Sequence, residues 1–65
     1  MNEQELQRLA EAGYESYRAD TGGISIATGA KIPDWDVLRP AIQRAWRAAA
    51  KGIAEALHVS ILFLI

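Results

Sequence analysis

The segment Leu57-His58-Val59-Ser60-Ile61-Leu62-Phe63-Leu64-Ile65 constrains this chain most. It contains no carboxylate, ammonium or guanidinium group. As a helix it is apolar on nearly every side. As a strand it is β-branched and aromatic, with Leu62 and Leu64 opposing Ile61, Phe63 and Ile65. Either shape left in water is an aggregation hazard. No glycine or proline follows Gly52, so the register favours a continued helix over a strand. The segment is too short to cross a bilayer, which takes ~20 apolar residues. Extending it backwards brings in Glu55, Lys51 and Arg47. It has to be buried against protein.

The rest of the chain offers little to bury it with. There are 65 residues, 51% of them apolar, with no cysteine and a net charge of −1. A single domain of this size buries only ~60% of the surface its unfolded chain exposes. Small scaffolds usually need a staple: disulfides, a metal or oligomerisation. Disulfides and cysteine zinc sites are impossible here. His58 is the lone histidine and has no carboxylate cluster beside it, so no metal or cofactor is expected. Oligomerisation remains, and a homo-oligomer is the expectation. The near-neutral charge disfavours direct nucleic-acid binding. Met1 to Arg8 is polar and carries Glu3 and Glu5, unlike a secretory signal. The sequence therefore reads as cytoplasmic, without a membrane partner.

The organisation reads as all-α: two main helices packed antiparallel in one small domain. Helix one covers 2–20. Asn2 followed by Glu5 makes a capping-box pattern. Leu6, Leu9, Ala10, Gly13, Tyr14 and Tyr17 then recur on one helical face. Residues 21–39 form a Gly/Pro-containing connection. Ile24 and Ile26 suit a short extended piece, and Thr28-Gly29-Ala30-Lys31 reads as a turn. Pro33 pushes Ile32 to an extended conformation, and Asp34 is placed to cap a short turn carrying Trp35 and Leu38 inward. Helix two covers 40–65 and opens at Pro40, whose missing N–H is not needed there. Its apolar stripe is Ile42, Trp46, Ala49, Ala50, Ile53 and Leu57. Seven of the twelve alanines lie between Ala41 and Ala56, which favours helix and close approach of a neighbour.

Charge divides along the chain. Residues 1–36 hold seven acids and three bases, and residues 37–65 hold four bases and one acid. Two helices of opposite charge lying side by side would explain it. So would an anion pocket beside Arg44, Arg47 and Lys51, because charge-assisted donors are the usual phosphate ligands.

Catalytic constellations are poor. Asp34 and Asp36 are the close carboxylate pair, and no base partners Ser16, Ser25 or Ser60 by spacing. Thr21-Gly22-Gly23 lacks the Gly-Lys-Ser/Thr of a phosphate loop. Binding constellations are richer. Arg18, Thr21, Gly22, Gly23 and Lys31 cluster around the exit of helix one. Tyr17 and Trp35 could stack on a base while Arg18, Lys31, Arg44 or Arg47 contact phosphate. These nine residues are the candidate ligand site.

The succession Tyr14-x-x-Tyr17, Thr21-Gly22-Gly23, Pro33-x-Trp35-x-x-Leu38 and Ala45-Trp46-x-x-Ala49-Ala50 resembles a group of small bacteriophage-encoded proteins. More distantly, its aromatic helix, glycine-containing loop, Pro-x-aromatic turn and second helix are similar to ryanodine-receptor repeat domains. That resemblance implies a non-catalytic protein that sequesters a nucleotide-type immune signal at a subunit interface, countering bacterial antiviral defence. The other reading is a protein-binding module that inhibits a host factor through its apolar C-terminal segment. A small signal-degrading hydrolase is a third.

Overall fold

A computed structural model gives the structure, describing the backbone of residues 2–64 and the side chains of residues 2–58. Two helices carry it: α1 (Glu3–Asp20) and α2 (Pro40–Leu64), with one 3-10 turn, Trp35–Val37, between them. The regular elements among the described residues are all helical, and the turns and irregular connection between them add a single bridge between Ile24 and Lys31.

Both ends of α1 are closed by the residues that the sequence supplies. Asn2 stays extended, and its side-chain oxygen accepts from the Glu5 N–H at 2.8 Å. Glu3 and Glu5 sit at the positive end of the helix dipole and Arg18 at the negative end. At the other end, the Gly22 N–H donates to Ala19 O and the Gly23 N–H donates to Arg18 O. This reciprocal pair is a Schellman closure, and it needs a left-handed residue at Gly22, where φ is +68°. Glycine adopts that conformation without the Cβ clash other residues suffer.

The connection folds onto itself. Ile32 N–H donates to Gly23 O and Ser25 N–H to Ala30 O, each at 2.8 Å. The tip runs through Ser25 to Gly29, and Ile26 there is exposed. The extended alternation expected for Ile24 to Ile26 thus reduces to one bridge, because the chain reverses directly after Ser25.

α2 starts where Pro40 requires it, with Ile42 and Gln43 N–H groups donating to Arg39 O. Trp46 lies against Gly13, Tyr14 and Tyr17, whereas Arg47 reaches back to Gln7. Advancing along α2 therefore means retreating along α1, which is the antiparallel sense. At 1.5 Å per residue, α2 with 25 residues outruns α1 with 18 by about 10 Å. The long axis reaches 43 Å. The helix continues through the apolar tail as far as Leu64, the shape the uninterrupted register favours. The expected burial of the side chains of Val59 to Ile65 falls outside the described residues.

The core is small: Ala10, Tyr14, Ile32, Trp35 and Leu38, with Tyr17, Trp46 and Ala50 packed on it. Tyr14 is its hub at 2% exposure. Its ring meets the edges of Trp35 and Trp46 at centroid distances of 5.7 and 5.5 Å. Such edge-to-face pairs add ~0.5–1.5 kcal/mol beyond area burial. The Tyr14 hydroxyl donates to Pro33 O, so the phenol's polar tip is satisfied where its body is buried.

Candidate functional site

Two surfaces compete for function: the polar corner at the exit of α1, and an apolar face on α2.

The corner gathers six of the nine predicted ligand residues. Tyr17, Arg18, Thr21, Gly22 and Gly23 follow from the helix end itself, and Trp35 arrives from the 3-10 turn. Their geometry is structural. The Arg18 guanidinium bonds Glu15 through Nη1 at 2.9 Å and Asp34 through Nη2 at 3.0 Å. It clips the loop onto α1, and its two carboxylates oppose an incoming anion. Asp34 was expected as a side-chain cap. It makes no side-chain cap bond, and its carboxylate turns to Arg18 while its backbone oxygen accepts from Val37.

Trp35 was expected to offer a stacking face. At 6% exposure it is instead a core residue against Tyr14, carried inward with Leu38 as the short turn was expected to carry it. The reason is tertiary: Tyr14 holds the Pro33 carbonyl, and Gln43 Nε2 donates to Trp35 O at 2.8 Å, so the turn is drawn in from both helices. Tyr17 lies half-buried against Trp46, with ring centroids 5.7 Å apart.

The remaining three candidates do not join this corner as one group. Lys31 stands exposed on the bridge with Ile24. Arg44 is exposed on α2. Arg47 is half-buried, and its Nη1 donates to Gln7 Oε1 at 3.3 Å. Arg47 also borders an open cleft of ≈ 480 Å³ with Glu3, Gln4, Leu6 and Gln7, at the opposite end of α1 from Arg18. Glu3 makes that cleft a mixed-charge surface. The ion pairs found among the described residues belong to Arg18, and neither links α1 to α2.

Burial shifts one titrating group in the core. Desolvation raises the Tyr14 hydroxyl above the ordinary tyrosine value, and the nearby Arg18 charge opposes that rise. The phenol therefore stays protonated and keeps donating to Pro33. Among the described residues, no group of three or more histidine, cysteine, aspartate or glutamate side chains could hold a metal ion. No helix among them is long and apolar enough to cross a membrane.

The second surface is the more conspicuous. Ile53 is 70% exposed, Leu57 60% and Ile42 42%. Their spacing puts them on one side of α2, together with exposed Ala45, Ala49 and Gly52. Leu9 of α1 is also exposed. Lys51, Arg44 and Glu55 lie off this face by the same helical spacing, so it runs uncharged from Ala41 to Leu57. Single exposed apolar residues are ordinary, whereas several on one uncharged helix face make it a candidate site.

Sequence reasoning did not foresee Gln43, which fixes the 3-10 turn, or Gln7, which anchors Arg47. A polar side chain beside the apolar residues Ile42 and Trp46 was the available signal for Gln43. No family model matches this chain, and neither the curated proteins nor the solved structures provide a match.

Proposed function

We propose that this chain is a non-catalytic helical interaction module whose working surface is the uncharged face of α2. The observation that carries the reading is the exposure of Ile42, Ile53 and Leu57 on a helix from whose apolar stripe Trp46 and Ala50 are already packed on the core. Amphipathic helices recognise protein partners through apolar anchors at this spacing. The polar side chains with partners support the same reading. Arg18, Asp34, Tyr14, Gln43 and Arg47 all hold one element of this chain to another.

The nucleotide-binding reading draws narrower support. Lys31 and Arg44 keep open surface, but Trp35 is committed to the core and Arg18 to two carboxylates. Titrating the chain with cyclic dinucleotides and ADP-ribose derivatives separates the two readings. An interaction module leaves the tyrosine and tryptophan fluorescence unchanged, whereas saturable quenching would favour a nucleotide site.

A photo-crosslinking side chain tests the module directly. Placed at Ile53 in the producing cell, it should yield discrete polypeptide adducts. Placed at Arg44, it should yield none. Equal labelling at both positions, or no adduct at Ile53, would overturn the proposal.

A further inference from the structure

We draw no further inference here: the strongest candidate, the uncharged surface patch along α2 that bears exposed Ile42, Ile53 and Leu57, belongs to the site already described, and nothing in the structure shows what covers it.

Discussion

The two halves of α2 are built from similar residues and meet different fates. Over residues 40–50, Trp46 and Ala50 pack on the core, Gln43 holds the 3-10 turn and Arg47 reaches α1. Over residues 51–58 every described side chain is exposed except half-buried Ala54. Apolar spacing does not separate them, since Ile42, Trp46, Ile53 and Leu57 follow one helical rhythm. What separates them is α1, which is too short to follow α2 to its end. Helical stability in proteins comes chiefly from packing one face, so the first half is held within the chain, whereas residues 51–58 gain little from α1.

Replacing one large side chain in each half sharpens the contrast most. Trp35→Ala empties the centre of the core that the first half covers, at a cost of ~3–5 kcal/mol. A chain of this length has only about 3–10 kcal/mol to lose, so its thermal transition should be largely abolished. Ile53→Ala should move the stability of the isolated chain by less than ~0.5 kcal/mol. A large loss from Ile53→Ala in dilute solution would mean that the second half is packed within the monomer.

Gly22→Ala tests the fixed region at its hinge. It forces a side chain into the left-handed conformation that closes α1, at ~1–2 kcal/mol. Urea denaturation should show the midpoint fall with little change in slope.

Tyr14→Phe is smaller, at ~1 kcal/mol for the lost bond to Pro33. It also carries a pH signature. The folded state holds the Tyr14 proton more tightly than the unfolded chain does. That contribution is complete below the ordinary tyrosine value near 10 and is lost as pH rises through the higher folded value. Stability should therefore fall more steeply above about pH 10 in the native sequence than in Tyr14→Phe. Parallel curves would show that Tyr14 is not desolvated by the core.

Much of the fold was legible locally. Asn2 with Glu5, Pro40 and the Thr21-Gly22-Gly23 exit set helix boundaries because caps involve only neighbours in sequence. That Trp35 and Leu38 turn inward was legible locally, but what holds Trp35 there was not. It depends on Tyr14 reaching Pro33 across 19 residues and on Gln43 reaching Trp35 across eight. Arg18 shows the same limit, since its pairing with Glu15 is local but its bond to Asp34 is made by the loop's return. The excess of exposed apolar surface was foreseeable from the size of the chain alone. Its position on α2 was not, because which stripe α1 covers is a matter of packing.

Amide hydrogen exchange along α2 at low protein concentration tests the exposed face most directly. Residues 41–50 should be protected. Residues 51–58 should exchange quickly. Protection of residues 51–58 equal to that of residues 41–50 would contradict a face that α1 leaves uncovered.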